Sequence, residues 1–154
     1  MNLTLESYQK YEFNPDVNII YGINGCGKTT LLKLLKKKFG KGAILLASNR
    51  KDDPQVGSNK FDDFLETVRK YLRAKAGPPS EGEESLTKIF KAAFSDHTHV
   101  LIDEPERSLH VEWQRKMVAD LMKVHEKYGT QFFLTTHSPQ IVHNRPDKMI
   151  ALVS

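Results

Sequence analysis

The chain has 154 residues, 39% hydrophobic and 27% charged, a balance that suits one soluble globular domain long enough to bury its own core. No apolar run approaches the roughly 20 residues of a membrane helix, the opening MNLTLESYQK lacks the basic start and apolar centre of a secretory signal, and a single cysteine, Cys26, excludes an intramolecular disulfide. A net charge of +4 and a pI near 9.1 lean mildly toward anionic partners, without the concentrated basic patch of a dedicated nucleic-acid binder. These features lead us to expect a cytoplasmic protein with no membrane association.

LTL (3–5) and YEF (11–13) alternate apolar with polar residues, the pattern of short half-buried strands. VNIIY (17–21) is denser, as a strand covered on both faces would be. A glycine-rich turn follows, then a helix predicted over 28–39, with Leu31, Leu32, Leu34, Leu35 and Phe39 on one side and lysines largely opposite. AILLA (43–47) predicts a second buried strand. Phe61, Phe64, Leu65, Val68, Tyr71 and Leu72 keep helical spacing over about 61–74. AGPPSEGEES is a loop too short to be a domain linker, and Leu86, Ile89, Phe90, Ala93 and Phe94 mark another helix. HVLID (99–103), a long helix over about 109–128, QFFLTT (131–136) and a last strand near 148–153 complete the order. Strands alternating with helices predict an α/β fold with a mainly parallel sheet covered on both faces. A small antiparallel β portion is expected at the N-terminus.

Residues Gly22 to Thr29 fit G-x-x-x-x-G-K-[ST] in full. Glycines let the backbone curl so that successive N–H groups face phosphate oxygens, and the following helix N-terminus favours anions. The candidate nucleotide-binding residues are Asn24, Gly25, Cys26, Gly27, Lys28, Thr29 and Thr30. Lys28 is placed to reach the β- and γ-phosphates, and the Thr29 hydroxyl to ligate Mg²⁺. The Cys26 thiol, beside a helix N-terminus and a lysine, is expected to have a lowered pKa.

HVLIDEPE puts Asp103 and Glu104 at the C-terminal end of a buried strand, where open α/β sheets bind ligands. Asp103 suits a second Mg²⁺ role, and Glu104 a general base toward water. In TTHSP, His137 follows the next strand in a sharp turn closed by Pro139, where an imidazole could sense the γ-phosphate or orient water.

In this order, YGINGCGKTTLLKLL, LIDEPERSLHVEWQ and FLTTHSPQIV resemble the ATP-binding-cassette ATPases over nearly the whole chain. The likeness is to soluble SMC-like and OLD-type members and related AAA-like bacterial proteins rather than to membrane transporters. It implies a single P-loop NTPase domain over 1–154, with a reduced helical and signature portion near 58–95. It also implies ATP hydrolysis with Mg²⁺, Glu104 as catalytic base, His137 as switch, and an ATP-dependent homodimer. Glu106 to His110 then corresponds to the loop crossing the dimer interface. Ser80, Gly82 and Glu83 correspond to a worn signature loop acting in trans, with proline where leucine is expected before it, and a plain helix cap is the alternative. Gln55 is the only guess for a glutamine loop, with Arg50 in a nearby role. A separate effector protein is implied, in nucleic-acid processing or defence. Nucleic acid itself is a further candidate partner through Lys33, Lys36, Lys37, Lys38 and Lys41, although such a lysine face is usually just solvated. The alternative functional reading is a nucleotide-gated binding module with little turnover; a small-molecule or nucleotide kinase shares the phosphate loop but does not need the acidic strand end followed by TTHSP.

Overall fold

The computed structural model describes residues 11–22, 27–72 and 80–152. Five strands, β1 (Val17–Tyr21), β2 (Ala43–Leu46), β3 (His99–Asp103), β4 (Gln131–Thr136) and β5 (Met149–Ala151), form one sheet in the order β2-β3-β4-β1-β5. Every strand pairing among the described residues is parallel. The continuous apolar runs follow from this: each inner strand is buried on both faces, so neighbouring residues go to opposite cores. Val100 and Ile102 pack into one apolar cluster and Leu101 into the other; Phe132 and Leu134 divide from Phe133, and Ile19 from Ile20, in the same way.

Helix α1 (Lys28–Phe39) covers the face bearing Ile20, Leu101 and Phe133 with Leu31, Leu32 and Leu35. On the other face lie α2 (Phe61–Arg69), α3 (Glu81–Ala93), α4 (Val111–Tyr128) and the short α5 (Pro139–Asn144). Each large apolar side chain withdrawn from water in this way contributes roughly 1.5–3 kcal/mol. Gly129, at φ 77°, closes α4 by donating its N–H to the His125 carbonyl at 2.8 Å, a left-handed cap that glycine adopts without strain.

Three expectations change. Tyr11–Phe13 is not a strand; Phe13 instead docks edge-on against Phe133, with ring centroids 5.4 Å apart, because contact with an aromatic core outweighs a two-residue alternation. The expected antiparallel portion is therefore absent there, and Leu3–Leu5 lies outside the described residues. The helix expected over 61–74 runs only to Arg69, and residues 73 and 74 lie outside the described set. The turn around Pro139 opens α5: Pro139 takes its first position and Ser138 caps it by accepting the Ile141 N–H, as a residue with no N–H to satisfy can.

The sheet's far edge is tied down by an ion pair. Lys148, just before β5, meets Asp16, just before β1, at 2.8 Å, and both side chains are largely buried. Burial raises the Asp16 pKa, but the Lys148 hydrogen bond, the Val17 N–H and the Lys148 charge outweigh it, and the carboxyl lies below its usual value. A lowered folded-state pKa contributes stability present above the unfolded value and lost as pH falls through the folded one. Asp16→Asn should therefore cost about 1–2 kcal/mol at neutral pH, and the difference from wild type should shrink below about pH 4; denaturant midpoints across pH check this.

Candidate functional site

The sheet order brings the three sequence motifs to one end. Because β4 lies between β1 and β3, the C-terminal ends of β1, β4 and β3 stand side by side, with Tyr21 level with Thr136 and Asp103 level with Thr135. At β1 the chain leaves through Gly22 and re-enters at Gly27, which stands at φ 96° immediately before α1. Asn24, Gly25 and Cys26 lie outside the described residues. Lys28 is only 7% exposed, and its Nζ donates to the Gly22 carbonyl at 2.5 Å, bridging the two ends of the loop. Thr29 and Thr30 are exposed in the first turn of α1. That turn contains no acidic residue, whereas Lys36, Lys37 and Lys38 occupy the last turn, so the helix dipole is left to attract an anion at its N-terminus.

The Thr29 hydroxyl donates to Asp103 Oδ2 at 3.4 Å across the strand ends. Asp103 Oδ1 accepts from the Thr135 hydroxyl at 2.5 Å. Thr29 and Asp103 are thus adjacent hard oxygen donors, and such a pair fits Mg²⁺, which takes few protein ligands and keeps several waters.

Glu104 follows in the left-handed region, at φ 50°. Its N–H donates to the Thr135 carbonyl at 3.0 Å, and its Oε1 lies 3.5 Å from His137 Nε2. The turn carrying His137 is held by Glu106, whose carboxylate accepts from the Thr136 hydroxyl at 2.8 Å and from the His137 N–H at 2.9 Å. Gln114 reaches the same turn through the Ser138 hydroxyl, and its own amide donates to the Leu109 carbonyl at 3.0 Å.

Ser80, Gly82 and Glu83 open α3. Ser80 is its N-cap: the hydroxyl accepts from the Glu83 N–H at 3.2 Å and donates to Glu83 Oε1 at 3.0 Å, so the side chain satisfies one of the unpaired N–H groups of the first turn. Gly82 packs on the Ser108 carbonyl so closely that a Cβ there would collide with it. Ser108, at φ 67°, also bonds Glu81. The 106–110 loop and the start of α3 are therefore one contact.

Four further residues complete the site; Thr135 and Thr136 have no part in the sequence reading, and Glu106 and Arg50 have other or undefined ones. Thr135 and Thr136 are fully buried, and a threonine pair ending an apolar strand before His-Ser-Pro was a usable signal. Glu106 was placed only within an interface loop. The resemblance puts Arg50 only near the Gln55 guess; Gln55 is exposed, whereas Arg50 is 8% exposed. Burial lowers the Arg50 pKa, opposed by the charges of Asp103, Glu106 and Glu104.

Residues 43–143 match the family described as "AAA domain, putative AbiEii toxin, Type IV TA system". The match begins after the phosphate loop, so Gly22–Thr30 rests on its own sequence motif and on the placement of Gly22 and residues 27–30. The spermidine/putrescine import ATP-binding protein PotA of Protochlamydia amoebophila is 24% identical over 161 residues, covering 77% of this chain and 43% of its own length. The PotA protein of Borreliella afzelii is 22% identical over 193 residues, covering 98% of this chain and 55% of its own. The chain thus spans about half the length of the curated relatives it matches. Among solved structures, MJ1267, an ATP-binding cassette of an ABC transporter in its ADP conformation, superposes with a TM-score of 0.63 at 17% identity, covering 90% of this chain and 76% of that one. The fold is therefore that of ATP-binding cassettes. No helix among the described residues is long and apolar enough to cross a membrane.

Proposed function

The chain belongs to this AAA-domain family and has the ATP-binding-cassette fold, and from that footing we propose that it binds Mg·ATP and hydrolyses it to ADP and phosphate as an ABC-type ATPase. The observation that carries the proposal is the convergence of Thr29, Asp103, Glu104 and His137 at neighbouring strand ends. Lys28 and the α1 N-terminus bind the phosphates, together with Asn24, Gly25, Cys26, Gly27 and Thr30. Thr29 and Asp103 would hold Mg²⁺, which would supply neutralisation of the phosphate charge there.

Glu104 accepts a proton from the water whose oxygen attacks the γ-phosphorus, while the β–γ bridging oxygen leaves with ADP. His137 orients that carboxylate through Nε2. Glu106, Thr136 and Gln114 hold the histidine turn so that imidazole and carboxylate face each other.

The cycle is completed between two copies. Residues 1–154 act as one cassette whose reduced helical portion, near 58–95, offers Ser80, Gly82 and Glu83 to the partner's nucleotide. Closing of this homodimer drives a separate effector in the cytoplasm, in a defence or nucleic-acid-processing role that agrees with the family's Type IV TA description. Direct nucleic-acid contact through the α1 lysines is the weaker part of this reading, because Lys36 donates to the Gly40 carbonyl at 3.0 Å and Lys38 lies over the Phe39 ring.

One observation favours the second reading, a nucleotide-gated binding module with little turnover: the Ser80 hydroxyl is already occupied in capping α3. Phosphate release from Mg·ATP, measured over a wide range of protein concentration, tests the two. Specific activity should rise with concentration if each site needs a second copy. ATP binding without phosphate release at any concentration would leave the gated module.

A further inference from the structure

Arg50 occupies a polar loop, yet it is buried and its guanidinium is engaged on every side. Nε donates to the Ser85 hydroxyl at 3.2 Å, Nη1 to the Ala47 carbonyl at 2.7 Å and the Asp103 carbonyl at 2.8 Å, and Nη2 to the Glu104 carbonyl at 2.7 Å. Desolvating a guanidinium is costly unless its donors are matched. Here the direct matches are main-chain carbonyls and a hydroxyl, so the planar fork reads backbone position, while the carboxylates of Asp103, Glu106 and Glu104 act on it through their charge.

Two of those carbonyls belong to consecutive residues, Asp103 and Glu104. Glu104 sits at φ 50°, a conformation that is strained for a non-glycine residue and persists only where its surroundings hold it. The Thr135 carbonyl holds its N–H side, and Arg50 holds its carbonyl side. Released from the fork, Glu104 would relax toward negative φ and carry its carboxylate away from His137.

Arg50 is itself anchored at both ends of its span. Its own φ is 52°, its N–H donates to the Ala47 carbonyl at 3.0 Å, and its carbonyl accepts from Lys88 Nζ at 2.6 Å. Ser85 and Lys88 lie on α3, the helix that Ser80 caps and whose first turn packs on the 106–110 loop. One side chain therefore connects α3 to the backbone of Glu104.

We propose that Arg50 is a positioning residue that holds Glu104 in its left-handed conformation and couples that conformation to α3. The proposal rests on the ATPase reading for its kinetic consequence but not for its structural one. The test uses the full chain with Arg50→Lys, which keeps the charge and loses the fork, and Ser85→Ala, which removes only the Nε acceptor. The readouts are thermal melting, affinity for a fluorescent ATP analogue, kcat and KM, and hydrogen exchange at the Glu104 and Arg107 amides, which bond the Thr135 and Glu104 carbonyls.

For Arg50→Lys, melting should stay cooperative and nucleotide affinity within about 3-fold, while kcat falls roughly 10- to 100-fold, as expected when only transition-state geometry is lost. Both amides should exchange roughly 10-fold faster. Ser85→Ala should move kcat and exchange in the same direction by less. Unchanged kcat with intact binding would overturn the proposal, and so would equal losses of affinity and kcat, since those mark general damage. If the wild type releases no phosphate, the ATPase reading fails by itself; the exchange comparison then decides, and unchanged exchange in Arg50→Lys overturns the role of Arg50.

Discussion

Glu104→Gln should bind Mg·ATP about as tightly as wild type while phosphate release falls roughly 100- to 10,000-fold, the range associated with losing a positioned general base. The substitution is nearly isosteric, and the contacts that fix this residue are made by its main chain: N–H to Thr135 and carbonyl to Arg50. The fold has no reason to change, so the loss belongs to the carboxylate. An amide accepts no proton from water at neutral pH, although it can still face His137. On the proposed ATP-dependent homodimer, the variant should accumulate as a dimer visible by sedimentation in the presence of Mg·ATP, because hydrolysis no longer empties the closed state. Turnover close to wild type would remove Glu104 from the role of base.

Lys28→Ala should act one step earlier, on binding. A charge-assisted hydrogen bond to phosphate is worth about 1.5–3 kcal/mol, so ATP affinity should fall roughly 10- to 150-fold, at about 1.4 kcal/mol per decade. Lys28 is buried against the Gly22 carbonyl in the structure, so truncation also removes the bridge between the two ends of the phosphate loop. Titration calorimetry with Mg·ATP measures the effect. Wild-type affinity in this variant would mean that the nucleotide phosphates lie elsewhere. The two variants separate binding from chemistry: Glu104→Gln keeps the first and loses the second, whereas Lys28→Ala loses the first.

VNIIY, HVLID and QFFLTT are strands over the residues expected of them, because a strand covered on both faces carries a dense apolar run with no polar face to blur it. Helix α1 likewise begins at Lys28 and ends at Phe39, set by glycines at both ends. Weak local patterns failed. Tyr11–Phe13 alternates like a strand, yet Phe13 is held by Phe133, which lies far along the chain. Pro139 looked like the close of a turn, but the Ser138 cap makes it the start of α5.

The candidate site divides along the same line. Gly27, Lys28 and Thr29 are legible because a loop running into a helix is a local object: sequence spacing alone sets where the backbone N–H groups and the lysine stand. Asp103 and Glu104 are legible because an apolar run ending in acid marks a strand end. The seating of Asp103 against Thr135, the clamp of Glu106 on Thr136 and His137, and the fork of Arg50 on Asp103 and Glu104 were not. The first two depend on β4 lying beside β3 and the third on β2 lying beside β3, and Arg50 reaches Asp103 across 53 positions of sequence. Hydrophobic periodicity says which face of a strand is buried and where the strand stops, but strands with nearly identical apolar runs carry little local information about which of them are neighbours. That choice is made by the packing of helices on both faces of the sheet, and only once it is made do these distant polar groups come within hydrogen-bonding distance.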